Sequence, residues 1–191
     1  MEKSEHTNDP IGALVRARRE QVQMSVRALA KASGFSASFI SQVEHGQASP
    51  SIASLEKMAL VLGLTLCEFF ARKGDERPGP VVVRADQRPE LTSWWSQATV
   101  EVLGAPHAMN QIDPIMITLA PGGRSSARPA RHQGEEFAMV FAGKILLTLE
   151  DTHYEMTRGD SVSFAPETPH QWTNTSGNDA QLIIVSVKPR A

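Results

Sequence analysis

The spacing of apolar residues changes near residue 73, and that change divides the chain into two kinds of structure. From Ile11 to about Phe70 apolar side chains recur every three or four residues, the period of a helix with one buried face. "IGALVRARREQV" puts Ile11, Leu14, Val15 and Val22 on one stripe with basic residues opposite. "MSVRALAKASG" predicts a second helix, with Ser25 as N-cap and Gly34 as the C-terminal stop. "SASFISQVEHG" repeats the arrangement: Ser36 caps, Phe39, Ile40 and Val43 are buried, and Gly46 terminates. "SPSIASLEKMALVLG" predicts a fourth helix with Ser49 as cap and Pro50 in the first turn, where its missing N–H costs nothing. "LTLCEFFAR" supplies a fifth.

Beyond "KGDERPGP", a charged stretch rich in glycine and proline that reads as a linker, the period falls to two. The runs "VVVRA", "ATVEVL", "PIMITLA", "EFAMVFAG", "KILLTLE", "THYEM", "DSVSFA", "HQWTN" and "LIIVSV" have strand length and are separated by turn residues. Many short strands at such intervals predict a β-sandwich or barrel. The expected fold class is therefore α+β in two domains, a five-helix bundle followed by an all-β barrel. The expected divisions are a disordered N-terminus at 1–9, a helical domain at 10–72, a linker at 73–90 and a β domain at 91–191.

Charge separates the halves as well. The net charge of −2 averages a basic first part with a mildly acidic second one. Residues 10–73 carry eight basic side chains (Arg16, Arg18, Arg19, Arg27, Lys31, Lys57, Arg72, Lys73) and four acidic ones (Glu20, Glu44, Glu56, Glu68). Residues 77–191 carry ten basic and twelve acidic side chains, so only the first part is suited to a polyanion. No apolar run is long enough to span a membrane, and "MEKSEHTNDP" lacks the features of a signal peptide. Cys67 is the only cysteine, which excludes an intrachain disulfide and suits a reducing compartment. The expected location is the cytoplasm, away from any membrane.

The second and third helices, joined by "ASGFS", have the lengths and turn of a helix-turn-helix, whose second helix enters the major groove. Ser36, Ala37, Ser38, Ser41, Gln42 and His45 are small or polar side chains on the open face of that helix. Gln42 can pair bidentately with adenine and Ala37 can touch a thymine methyl, while Ser25, Arg27 and Lys31 are placed for phosphates. About 60 residues from "ALVRARREQV" through "SPSIASLEKMALVLGLTL" resemble the xenobiotic-response-element (XRE) family of lambda repressor and Cro-like helix-turn-helix regulators. The motifs are Leu29-Ala30, Gly34, "ISQVE.G" and "SPS...L". The resemblance implies a structural pair between Glu44 and an arginine of the first helix, here Arg19. His45 departs from the family, in which arginine is usual.

In "ARHQGEEFAMVFAG", strand alternation would put Ala130, His132, Gly134 and Glu136 on one face. If "SFAPETPHQWTN" is the neighbouring strand, His170 reaches the same interior. Two imidazoles and a carboxylate form a plausible site for one divalent metal: zinc, iron, nickel or manganese. The two segments resemble the two motifs of the cupin superfamily, a jelly-roll (double-stranded β-helix) barrel, over about residues 107–187. His132, Glu136 and Gly143 match the first motif, and Gly159-Asp160, Pro166, His170 and Asn174 the second. Ala130 stands where the first histidine of the motif would be, so the metal set has three ligands, or the site is a metal-free pocket of hydrogen-bonding residues. Candidate pocket walls are Met116, Phe137, Met139, Phe141, Phe164 and Trp172, with Arg128 and Arg131 at the rim. The tryptophan pair in "TSWWSQ" reads equally as a dimer contact or as a cap on the barrel mouth.

Together these features point to a transcription regulator rather than an enzyme, with no catalytic residue assigned. It would bind a pseudo-palindromic double-stranded DNA operator as a homodimer and be modulated by a small-molecule effector in the cupin domain. Two alternatives stand beside this reading. One is a metal-dependent cupin oxygenase or isomerase fused to a DNA-binding domain; the other is a regulator whose cupin serves only as a dimerisation scaffold.

Overall fold

The computed structural model describes residues 10–70, 81–93, 96–105 and 112–187. The expected disordered N-terminus, the first part of the linker and both tryptophans of "TSWWSQ" lie outside the described residues. Five helices come first: α1 (Pro10–Gln21), α2 (Val26–Ser33), α3 (Ala37–Glu44), α4 (Ile52–Val61) and α5 (Leu66–Phe69). Hydroxyl caps start the last four, with Ser25, Ser36, Ser51 and Thr65 accepting from the backbone N–H of Ala28, Phe39, Ser54 and Glu68.

Three local expectations are corrected. Ser51, not Ser49, caps α4, because the chain is still extended at Ser51 and the helix begins only at Ile52, its first buried residue. α3 ends at Glu44 with His45 as its C-cap, one residue before Gly46. Val22 is exposed rather than part of the buried stripe, since α1 stops at Gln21 and the chain turns through Gln23 at φ 55°.

Ile11, Val15, Leu29, Ile40, Val43, Leu55, Met58 and Phe69 form the core of the helical domain. α1 approaches α3 closely at Gly12, where any Cβ would collide with the Val43 carbonyl oxygen. Beside this contact Arg19 grips Glu44 with two bonds, Nε to Oε1 at 2.6 Å and Nη2 to Oε2 at 2.9 Å. Its Nη1 donates to the Met24 carbonyl, so the buried guanidinium is well supplied with acceptors and ties α1 to α3. Arg18 donates to the carbonyls of Glu68 and Phe69 and holds the end of α5 against α1.

Among the described residues the second domain has nine strands: β1 (Glu90–Ser93), β2 (Ala98–Val102), β3 (Ile112–Leu119), β4 (Glu135–Ala142), β5 (Lys144–Leu149), β6 (Thr152–Thr157), β7 (Ser161–Phe164), β8 (His170–Asn174) and β9 (Ala180–Val187). They form two antiparallel sheets, ordered β1-β2-β3-β9-β4-β7 and β6-β5-β8. Ile115, Ile117, Leu119, Val140, Leu182 and Ile184 of the larger sheet, with Ile145, Leu147 and Trp172 of the smaller, make the core. "VVVRA" is not a strand: Val81 and Val82 are exposed, and a short 3-10 turn over Ala85–Gln87 follows. Gly143 lies at φ 78° between β4 and β5, and a Cβ there would meet the Ala180 backbone at 2.8 Å.

The two domains touch through a side chain. Asp113 of β3 accepts from the backbone N–H of Leu66 (2.6 Å) and of Cys67 (3.1 Å) at the start of α5. No described helix is long and apolar enough to cross a membrane.

The Arg19–Glu44 pair has a measurable signature. Removing one member of a buried pair strands the other charge, so Glu44→Gln should cost roughly 3 kcal/mol in urea unfolding followed by helical circular dichroism. Replacing both members, Arg19→Met with Glu44→Leu, should recover much of that loss. A double variant as unstable as the single one would show that the pair does more than neutralise buried charge.

Candidate functional site

The first candidate surface is the open face of α2 and α3. Ser25, Arg27, Lys31, Ser36, Ser38, Gln42 and His45 are exposed there, and Ala37 and Ser41 are half-buried. Ser25 and Ser36 use a lone pair each to cap their helices, which leaves each hydroxyl proton able to donate elsewhere. The His45 ring is held by its Nδ1 against the Ser41 carbonyl at 2.7 Å. Behind this face, Ile40 and Val43 anchor α3 in the core. The helix therefore presents its polar side from a fixed platform.

The second candidate site lies in the barrel and starts from a backbone pairing. Ala130 N–H donates to the His170 carbonyl at 2.7 Å, and His170 N–H returns the bond at 2.9 Å. His132 N–H donates to the carbonyl of Pro166. The segment before β4 is thereby tied to the start of β8, and His132, Glu136 and His170 converge. Their ligand atoms all lie within 4.8 Å of one another. His132 Nε2 is 3.0 Å from Glu136 Oε2, and His170 Nε2 is 3.8 Å from the same oxygen. The other oxygen, Glu136 Oε1, is buried and has no hydrogen-bond partner among the described residues.

Each imidazole has a defined role in this geometry. His170 Nδ1 is 2.9 Å from the Thr168 carbonyl, which can only accept, so the proton sits on Nδ1 and Nε2 keeps its lone pair. Burial, helped by His132, lowers the His170 pKa and keeps that ring neutral. Burial acts on His132 in the same sense, but its hydrogen bond to Glu136 and the charges of Glu56 and Glu136 outweigh it and raise the pKa to about 9. Two imidazole nitrogens and a carboxylate with an unpartnered oxygen fit a divalent transition metal, which would take the place of the His132 proton.

Two small cavities adjoin these residues. One of about 20 Å³ is lined by Ser125, Ala130, Glu136, His170 and Trp172, and holds little more than one ion or water. Trp172 Nε1, also buried, has no partner among the described residues. The other, of about 70 Å³, is lined by Asp113, Ala130, Arg131, His132 and Gln133. α4 supplies a wall to both, through Ala53 and Glu56. Burial, opposed by His132 and reinforced by Glu136 and Asp113, raises the Glu56 pKa to about 7.

The expected pocket walls divide. Trp172 and Phe164 face inward, with the Phe164 ring 5.1 Å from His170 and 6.3 Å from Trp172. Phe137, Met139 and Phe141 do not: they are 40%, 38% and 55% exposed on the outer face of β4. Glu136, Ala138 and Val140 point inward, so strand alternation sends the odd-numbered residues out. Met116 lies on the same outer side, between buried Ile115 and Ile117. Arg131 lines the larger cavity, whereas Arg128 is exposed and lines neither. Glu56 and Asp113 were not among the expected site residues. The available signal was an apolar pair on α4, Ala53 and Leu60, flanking Glu56 and outside the helical core.

The His132–Glu136 pair gives a pH signature in chelator-treated protein. A raised imidazole pKa stabilises the fold fully below pH 6.5 and loses its effect as pH rises through about 9. The stability difference between the wild type and His132→Gln should therefore shrink by roughly 1–3 kcal/mol across that window in urea unfolding. A constant difference would show that folding does not raise the His132 pKa.

Comparison with known proteins agrees with both halves. Residues 15–69 match the Helix-turn-helix family and residues 115–186 the Cupin domain family. The HTH-type transcriptional regulator PuuR of Escherichia coli (strain K12) is 33% identical over 165 residues, covering 86% of this chain and 88% of its own. The (S)-2-hydroxypropylphosphonic acid epoxidase of Streptomyces wedmorensis is 25% identical over 188 residues, covering 91% and 93%. The crystal structure of an HTH_3 family transcriptional regulator from Vibrio cholerae superposes with a TM-score of 0.73 at 21% identity, covering 95% of this chain and 97% of that one. A helix-turn-helix domain with a capped, outward-facing α3 is thus followed by a cupin barrel, and the chain belongs to the helix-turn-helix transcriptional regulators that carry a cupin domain.

Proposed function

We propose that this regulator reads a pseudo-palindromic operator as a cytoplasmic homodimer, and that a small molecule or metal in the cupin pocket modulates that binding. The observation that carries the reading is that α4, part of the DNA-binding domain, is also a wall of the pocket. In this reading the DNA-binding domain is 10–72 and the effector domain 91–191, with 73–90 between them. Gln42, Ala37, Ser38 and Ser41 meet base edges, and Ser25, Arg27, Lys31, Ser36 and His45 meet phosphates. His132, Glu136 and His170 hold one zinc, iron, nickel or manganese ion, Phe164, Trp172 and Arg131 border the ligand, and Ala130 leaves a coordination position for it.

A single module lacks the contact area for operator-level affinity, which argues for a dimer. The outer face of β4, with Phe137, Met139 and Phe141 exposed in a row, is the surface suited to a second copy. A second reading, a metal-dependent enzyme, has one observation in its favour: two histidines and one carboxylate leave coordination positions open, as metal-dependent oxygenases require. The epoxidase relative is compatible with it.

Selection of bound duplexes from random DNA would recover the operator. On that duplex Gln42→Ala should cost about 1–3 kcal/mol and relax preference at one base pair. Arg27→Ala should weaken all sequences alike and reduce the salt slope by about one. Failure to enrich any sequence would remove the operator reading. For the dimer, Met139→Glu with Phe141→Glu should convert the protein to monomers in sedimentation velocity, and an unchanged dimer would move the interface elsewhere.

A further inference from the structure

We propose that Glu56, carried by the DNA-binding domain, is a ligand-facing group of the cupin pocket, and that α4 closes on the pocket when a divalent cation is held by His132, Glu136 and His170. The inference rests on the reading of those three residues as the effector site and names the residue that reports its occupancy.

Three observations support it. Glu56 and Ala130 line the same two cavities, so the small side chain at 130 leaves the pocket open to α4 on the side where the motif would carry an imidazole. Glu56 is half-buried, and among the described residues it makes no hydrogen bond or salt bridge. Its field comes instead from His132 and from two other carboxylates, Glu136 and Asp113. With His170 neutral, three carboxylates share the single charged ring of His132 and repel one another, and an added cation converts that repulsion into attraction. Glu56 lies outside the compact set of three ligand atoms, so drawing it in requires α4 to shift or a bound water to bridge.

The shift has a route to the DNA-binding face. α4 packs on α2, and α2 packs on α3. The start of α5, one turn beyond α4, is pinned to the barrel by Asp113. With that end fixed, movement at Glu56 pivots the helical domain about the pin and changes how two recognition helices are spaced in a dimer.

The test uses the full-length protein, freed of metal by a chelator and titrated with Mn²⁺ as the probe. Binding is followed by calorimetry and α4 by hydrogen exchange of residues 52–61, in the wild type, Glu56→Gln and Glu136→Gln. The wild type should bind one Mn²⁺ and slow exchange in α4. Glu56→Gln, nearly isosteric, should still bind, about tenfold more weakly, but lose that slowing. Glu136→Gln should lose binding altogether. Glu56→Gln with wild-type affinity and wild-type protection of α4 would overturn the proposal and leave the three-residue site standing. No Mn²⁺ binding by the wild type would overturn both.

Discussion

Two main-chain hydrogen bonds, between Ala130 and His170, set the order of the functional half. They join a segment outside any strand to the first residue of β8, and so decide where His132 and Glu136 stand relative to His170. Side chains alone could not do this, because His132 precedes β4 and the chain must bend through Gly134, at φ 110°, before the strand begins. Backbone pairing also makes the alanine at 130 tolerable. Its position is held by N–H and C=O, so a small side chain there does not disorder the site.

Each domain contains one buried carboxylate paired with a cation, and the two pairs behave differently. Glu44 meets a guanidinium that never loses its proton, and both its oxygens are engaged. That pair is a fastener. Glu136 meets an imidazole that can be deprotonated or displaced, and one of its oxygens is unpartnered. That pair can accept something. The contrast lies in the partner and the spare oxygen, since both carboxylates are almost fully buried.

Most of the fold was legible in the sequence because local rules decided it. The change of apolar period separated the helices from the strands, hydroxyls placed the helix starts within two residues, and glycine and proline bounded most strands. The Arg19–Glu44 pair and the convergence of His132, Glu136 and His170 followed from resemblance and alternation together. What was not legible was inter-domain or depended on register. Glu56 and Asp113 sit in stretches whose local pattern fits their own elements, and the apolar pair beside Glu56 does not say which surface will cover it. Phe137, Met139 and Phe141 face out although large apolar residues usually fill a barrel, because Glu136 facing the pocket requires that register.

That register has an evolutionary consequence. Along β4 the pocket carboxylate and the exposed apolar row are written in alternate letters of one eight-residue stretch. A point substitution can therefore change what the pocket recognises without altering the outer surface, or the reverse, so the two properties can diverge independently among related chains. A single inserted or deleted residue within the strand would exchange them, burying the apolar row and turning Glu136 to solvent. Chains descended from this one are thus expected to vary at the outward positions of β4 while keeping its length constant.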